Sequence, residues 1–187
     1  MTETPPIQDN QHLHSHKAAV HGRFQPFHNG HLAYVMRAYS LCDLLYVGIT
    51  NSEPLHTLPD EASTHRHLAE ANPYPFYARM EMVTGAMVDA GACRSKFRVV
   101  PFPINRPELI GNYVPADAVH YLCIFDAWGE RKLRLLKDSG YLAIGWTDME
   151  KLATGTHVRA DLKRGRPVDQ SLPRYVEEYL RHFRPPL

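Results

Sequence analysis

From residue 18 to the end, short apolar runs and longer stretches of helical periodicity take turns along the chain, and this alternation restricts the fold more than any other feature. Residues 18–21 (AAVH), 44–49 (LLYVGI), 97–102 (FRVVPF), 118–125 (AVHYLCIF) and 141–146 (YLAIGW) have the length and apolar content of strands. Residues 31–41, 76–90, 130–137, 156–163 and 174–182 have the pattern of helices, and Gly91 and Gly140 supply stops after two of them. Strands alternating with helices predict an α/β fold: a Rossmann-like doubly wound parallel sheet covered on both faces. In such a sheet ligands bind at the carboxyl ends of the strands, where strand order reverses.

With 187 residues and 44% hydrophobic content, the chain suits a single domain with one core. Residues 1–17 are polar and aperiodic, so they read as a disordered leader to a domain spanning 18–187. The alternating His12, His14 and His16 read as a solvated tail rather than a metal site. Residues 51–75 form a connection too long for a compact domain unless it is functional or disordered. Lys and Arg total 21 against 20 Asp and Glu, so there is no bulk charge to attract nucleic acid or an anionic membrane. The basic stretch 163–166 reads as the cationic end of a helix. Cys42, Cys93 and Cys123 have no CxxC spacing and no secretory leader accompanies them, which predicts a cytoplasmic protein without a disulfide framework or cysteine metal site. No apolar run approaches the roughly 18 residues of a membrane span.

The chemistry concentrates in GRFQPFHNGHL, residues 22–32, at the junction of the first strand and first helix. His28 and His31 are three apart and in a first helical turn share a face. Gly30 between them leaves room for a phosphate, and the helix N-terminus adds unpaired N–H groups and partial positive charge. Two imidazoles beside such a terminus can stabilise charge developing on a phosphorus and its leaving group. Arg23 offers a planar fork suited to phosphate.

This stretch resembles the HxGH signature of the nucleotidyltransferase superfamily, and its flank GRFQPFH is similar to the nicotinamide mononucleotide adenylyltransferase branch, in particular the archaeal type. A second stretch, ATGTHVR at 153–159, resembles that family's second phosphate motif, and SLPRYVEEYL its terminal helix. The resemblance implies transfer of a nucleoside monophosphate from a nucleoside triphosphate to a phosphate or phosphonate acceptor, with release of pyrophosphate. It implies catalytic roles for His28, His31 and Arg159, and phosphate or nucleotide contacts from Gly22, Arg23, Phe24, Gly30, Thr154, Gly155 and Thr156. Mg²⁺ bound through the triphosphate is the implied cofactor, with no protein metal ligands. The family varies in oligomeric state, so a homo-oligomer stays open.

The acceptor end departs from the adenylyltransferase pattern. Where that branch has a Ser-Gly-Asn turn after a strand, this chain reads Ile124, Phe125, Asp126, Ala127. The long connection brings His56, His65, Arg66 and His67. Arg66, Arg79, Asp126 and Trp128 are the candidate acceptor contacts; for each the bland alternative is a solvated loop, a surface arginine, a helix cap and a core tryptophan, respectively. Trp146 has the same two readings as Trp128. A small, strongly anionic acceptor suits these changes, which resemble the phosphonoformate cytidylyltransferase-like relatives of the branch. The expected reaction is therefore CTP-dependent cytidylyl transfer to a small phosphonate such as phosphonoformate. ATP-dependent synthesis from nicotinamide mononucleotide is the alternative, and a catalytically inactive nucleotide sensor is the alternative from another class.

Overall fold

The computed structural model describes residues 14–52 and 69–184. Five strands form one wholly parallel sheet: β1 (Ser15–Gly22), β2 (Cys42–Ile49), β3 (Phe97–Pro101), β4 (Val119–Cys123) and β5 (Ala143–Trp146). Their order is β3-β2-β1-β4-β5. The chain winds outward from β1 through β2 to β3, then crosses back to β4 and β5, so strand order reverses between β1 and β4. The helices are α1 (Asn29–Ser40), α2 (Phe76–Asp89), α3 (Ala127–Asp138), α4 (Gly155–Lys163) and α5 (Arg174–His182). The doubly wound single sheet expected from the alternation is therefore present. Among the described residues no helix is long and apolar enough to cross a membrane.

Successive side chains of a strand point to opposite faces, and β1 shows what each face buries. Ala18 and Val20 join a cluster with Tyr34, Val35 and Ala38 of α1 and Met82, Val83 and Ala86 of α2. Ala19 points the other way, into a cluster with Phe102, Ile110, Leu122 and Leu136 of α3. Residues 18–20 are fully buried, as a central strand covered on both faces requires. Each buried Val or Leu contributes about 1.5–3 kcal/mol by leaving water.

The strand begins earlier than the apolar pattern suggests. Ser15 pairs with Cys42 and Lys17 with Leu44, whereas pairing with β4 starts only at Ala18 opposite Val119. Residues 15–17 thus have a neighbour on one side only, which is why they are polar, and the expected leader boundary at 17 falls inside β1. His14 Nε2 and His16 Nδ1 both bond to the Asp43 carboxylate, at 2.8 and 2.7 Å. His12 lies outside the described residues.

Other boundaries move for local reasons. β3 ends at Pro101, one residue before the apolar run does, and the Phe102 N–H still donates to the Ile49 carbonyl at 2.9 Å. α1 and α3 start before the apolar pattern does, because His28 and Asp126 cap them. Gly91 and Gly140, with φ of 88° and 85°, follow α2 and α3 in the left-handed region that favours glycine.

Candidate active site

Over the carboxyl ends of β1 and β4, the described residues enclose an open crevice of about 850 Å³. It gathers both sequence motifs, Thr50 and Asn51 from the end of β2, Ile104 and Asn105 beyond β3, and Phe125, Asp126, Trp128 and Lys132 around α3. This is the position that a doubly wound sheet assigns to its ligand.

The first motif leaves β1 at Gly22 and bends at Phe24, whose φ of 53° is in the left-handed region. That conformation costs a bulky residue about 1–2 kcal/mol. Complete burial of the Phe24 ring offsets the cost. A Cβ on Gly22 would sit 2.5 Å from this ring, so only glycine lets it fold back. The ring meets Phe27 and His31 edge-on, with centroids 5.2 and 5.0 Å away. Phe24, an expected nucleotide contact, lines the crevice, and its buried ring also braces His31.

His28 caps α1. Its Nδ1 accepts from the His31 backbone N–H at 3.3 Å, and the Nδ1 of His31 accepts in return from the His28 N–H at 3.4 Å. The two rings stack 3.5 Å apart at 15°. An Nδ1 that accepts a hydrogen bond in a neutral imidazole places the proton on Nε2. Burial lowers the pKa of His28 to about 4. For His31, burial first and then the neighbouring His28 and Arg23 charges push it well below the usual histidine value, although the Pro26 carbonyl opposes the shift. At neutral pH the pair is therefore uncharged, each ring carrying one Nε2–H. Gly30 does not simply leave an opening: a Cβ there would lie 3.3 Å from the His28 ring and 3.6 Å from the backbone nitrogen of Ala153. Its bareness spares the His28 ring a tight contact.

The second motif docks on the first. Thr154 caps α4 by accepting from His157 N–H at 3.2 Å. Arg159 Nη1 donates to the Gln25 carbonyl at 2.6 Å, and its Nη2 to Thr156 Oγ1 at 3.4 Å. A Cβ on Gly155 would come within 2.8 Å of that same carbonyl oxygen. Gln25 is itself fixed, its amide donating to Tyr74 O at 2.9 Å and accepting from Tyr74 N–H at 3.0 Å. The N-terminal turns of α1 and α4, with Arg23 and Arg159, thereby border one crevice. Two helix termini, two guanidinium groups and two neutral imidazoles thus converge on one crevice, an arrangement chemically suited to an anion.

The expected acceptor contacts fare differently. Arg79 is 1% exposed. Its Nη1 donates to the carbonyls of Arg23 and Thr50 at 3.0 and 2.7 Å, and its Nη2 to Asn51 O at 2.8 Å. It is not a surface arginine but a buried strut joining the ends of β1 and β2, and it is not among the residues lining the crevice. Asp126 caps α3, accepting from Gly129 N–H at 2.9 Å, and still edges the crevice. Trp128 borders the crevice with Arg131 over its ring, whereas Trp146 is core, stacked on Tyr121 at 4.7 Å. His56, His65, Arg66 and His67 lie outside the described residues. Sequence reasoning passed over His21 and Lys132, which also line the crevice. The available signal for His21 was its place, the last side chain of β1 before Gly22.

Comparison with known proteins agrees with this geometry. Residues 19–151 match the sequence model of the family described as cytidylyltransferase-like. The phosphonoformate cytidylyltransferase of Streptomyces viridochromogenes is 39% identical over 155 residues, covering 82% of this chain and 84% of that protein. The nicotinamide-nucleotide adenylyltransferase of Thermococcus kodakarensis is 27% identical over 165 residues, 87% of this chain and 81% of the relative. In fold, the chain superposes on a bifunctional NMN adenylyltransferase/ADP ribose pyrophosphatase from Francisella tularensis with a TM-score of 0.66 at 17% identity. That alignment takes in 88% of this chain and 48% of the longer bifunctional one. With the family match covering most of the sheet and the whole first phosphate motif, the chain belongs to the cytidylyltransferase-like family of nucleotidyltransferases.

Proposed function

We propose that this nucleotidyltransferase moves a cytidylyl group from CTP to a small phosphonate such as phosphonoformate. The observation that carries the choice is the 39% identity to a phosphonoformate cytidylyltransferase across most of both chains, against 27% to a nicotinamide-nucleotide adenylyltransferase. The crevice is consistent with it. Beyond β4 the acceptor side presents Phe125 and Asp126, the latter occupied as a helix cap.

An anionic acceptor oxygen attacks the α-phosphorus in line, forming the new P–O bond as the bond to the bridging oxygen breaks. The electron pair leaves with pyrophosphate. No general base is needed, because the attacking oxygen is already ionised near neutral pH, and catalysis becomes positioning and charge stabilisation. The Nε2–H groups of His28 and His31 donate to phosphate oxygens. Being neutral, they give directed hydrogen bonds without trapping the triphosphate by excess charge. Arg159 and Thr156 hold the β- and γ-phosphates, the guanidinium kept in place by the Gln25 carbonyl.

Among the described residues no group of three His, Cys, Asp or Glu side chains could hold a metal ion. This donor set suits Mg²⁺ held by phosphate oxygens and water rather than by a protein cage, where it would neutralise charge on the leaving pyrophosphate. The test supplies CTP and ATP separately with phosphonoformate, other small phosphonates, small phosphate esters and nicotinamide mononucleotide, following pyrophosphate release. The best pair should be CTP with a small phosphonate. A tenfold or greater advantage in kcat/KM for ATP with nicotinamide mononucleotide would replace this reading by NAD synthesis, and silence with every pair would favour a sensor.

A further inference from the structure

His21 is 4% exposed, borders the crevice, and has no hydrogen-bond partner for either ring nitrogen among the described residues. A buried polar group in that condition works against folding, so its persistence calls for a reason. His120 is also buried without partners, packed between Phe102 and Tyr141, but it does not reach the crevice. Among the described residues, only His21 combines unmet hydrogen-bonding capacity of a buried side chain with a place in the crevice lining.

The ring is also held in a fixed orientation. It lies flat on Phe102, centroids 4.5 Å apart and planes 3° from parallel. Phe102 can lie there because residue 48 is glycine, where a Cβ would stand 2.5 Å from the phenyl ring. The His21 backbone N–H is tied to Tyr34 Oη at 3.3 Å. Three elements thus aim one imidazole. Burial foremost, then the Lys132 and His120 charges, hold His21 well below the usual histidine pKa, so at neutral pH it has one N–H to give and one lone pair to receive.

Its position relative to the phosphate motifs suggests what it meets. Ala18 and Val20 face α1, which carries His31 and is capped by His28, whereas His21 shares the face of Ala19 and packs with Phe102 on the α3 side. In-line displacement needs the incoming oxygen opposite the leaving pyrophosphate, and the leaving group is assigned to the α1 and α4 termini. The α3 side is left for the acceptor. Lys132 projects from α3 into the same crevice, and its charge is felt by His21, His31 and Cys123.

We propose that His21 binds the acceptor, its imidazole N–H donating to a phosphonate or phosphate oxygen while Lys132 supplies the balancing positive charge. The inference rests on the nucleotidyl-transfer reading and adds to it a specificity residue outside both sequence motifs.

The experiment compares wild type with His21→Phe, which keeps a flat ring against Phe102 but has no donor, and His21→Gln, which restores one. Pyrophosphate release is measured with CTP against phosphonoformate and, separately, a small phosphate ester, together with Tm. His21→Phe should raise the acceptor KM at least tenfold, leave the CTP KM within twofold, and leave Tm unchanged or higher, because an unmet polar group has been removed. His21→Gln should recover part of the loss. A stronger loss with phosphonoformate than with the ester would identify the phosphonate as the group contacted; equal losses would identify the shared dianion. An acceptor KM within twofold of wild type in His21→Phe overturns the assignment, as does a parallel rise in both KM values with a falling Tm. Should His21→Phe not fold, the ring ¹⁵N resonance of His21 in wild type is followed as phosphonoformate is added to enzyme holding a non-hydrolysable CTP analogue, and absence of a shift overturns it. If wild type releases no pyrophosphate with any acceptor, the functional reading itself has failed, which is a different outcome from an active enzyme indifferent to residue 21.

Discussion

Replacing Arg79 with Met tests whether the site is held from behind. The guanidinium donates to three carbonyls, of Arg23, Thr50 and Asn51, at 3.0, 2.7 and 2.8 Å, while 1% of the residue is exposed. Methionine fills much of the same stem volume but leaves those oxygens without their donor. A hydrogen bond from a charged group contributes about 1.5–3 kcal/mol, so three give roughly 4–9 kcal/mol as an upper bound. Water reaching the carbonyls at the crevice edge should reduce this to about 3–4 kcal/mol, comparable to breaking a buried ion pair. At about 2–4 °C per kcal/mol for a chain of this size, Tm should fall by about 6–16 °C. Urea unfolding and calorimetry measure the loss directly. Turnover at 15 °C, where the variant stays folded, should also fall because the Arg23 and Asn51 backbones border the crevice. Arg79→Lys should recover only part, since one ammonium cannot span both strand ends. A stability change below about 1 kcal/mol, or a defect confined to the acceptor KM, would show that Arg79 is the acceptor ligand suggested by its sequence context and not a strut.

Other perturbations probe the remaining parts of the site. His31→Ala should lower kcat by on the order of 10²- to 10³-fold with the fold intact, the usual cost of one preorganised donor, and wild-type turnover would remove its catalytic role. Gly155→Ala improves intrinsic helix propensity, yet its Cβ would press on Gln25 O at 2.8 Å and Arg159 Nη1 at 3.1 Å. It should therefore raise the KM for triphosphate by about tenfold, and an unchanged value in steady-state kinetics would deny the contact between motifs. Stability should also depend on pH. His28 and His120 are lowered from 6.5 to about 4, so as pH falls below about 6.5 the unfolded chain takes up protons that the folded one refuses. Their contribution is complete at neutral pH and drains away between about 6.5 and 4. At about 1.4 kcal/mol per pH unit, each histidine costs about 3 kcal/mol by pH 4. Urea midpoints that stay flat from pH 7 to 4.5 would contradict this burial.

The order of strands and helices was legible because the sheet is parallel and covered on both faces, which leaves continuous apolar runs in the sequence. Boundaries were less legible where the determining residue lacks a recognisable preference. Asp126 and Thr154 are ordinary N-cap residues, but His28 caps α1 through a reciprocal pair with His31 that a list of capping preferences would not suggest. Ser15 to Lys17 look like leader because only β2 pairs with them, so the alternation of a covered strand is missing. Phe24 and Arg79 were assigned from the resemblance of their local sequences to a family pattern, which carries no information on burial. The burial of both side chains is a property of the tertiary packing.

The two sides of the crevice differ in how they are encoded. The side proposed for the triphosphate is made by two contiguous stretches, since a helix N-terminus, its cap and its first-turn side chains must be close in sequence to be close in space. The side proposed for the acceptor draws single residues from separate elements: His21 from β1, Asn51 after β2, Asn105 beyond β3, Phe125 after β4 and Lys132 from α3. No spacing rule joins them, so no motif can announce them. This division fits relatives named for a phosphonoformate cytidylyltransferase and for nicotinamide-nucleotide adenylyltransferases aligning over much the same length of chain. Reaction class can be held by the contiguous part while single substitutions retune the acceptor. On the proposed assignment, specificity, as a difference between two affinities, turns on groups like His21 that are left unsatisfied among the described residues and matched only by the right ligand.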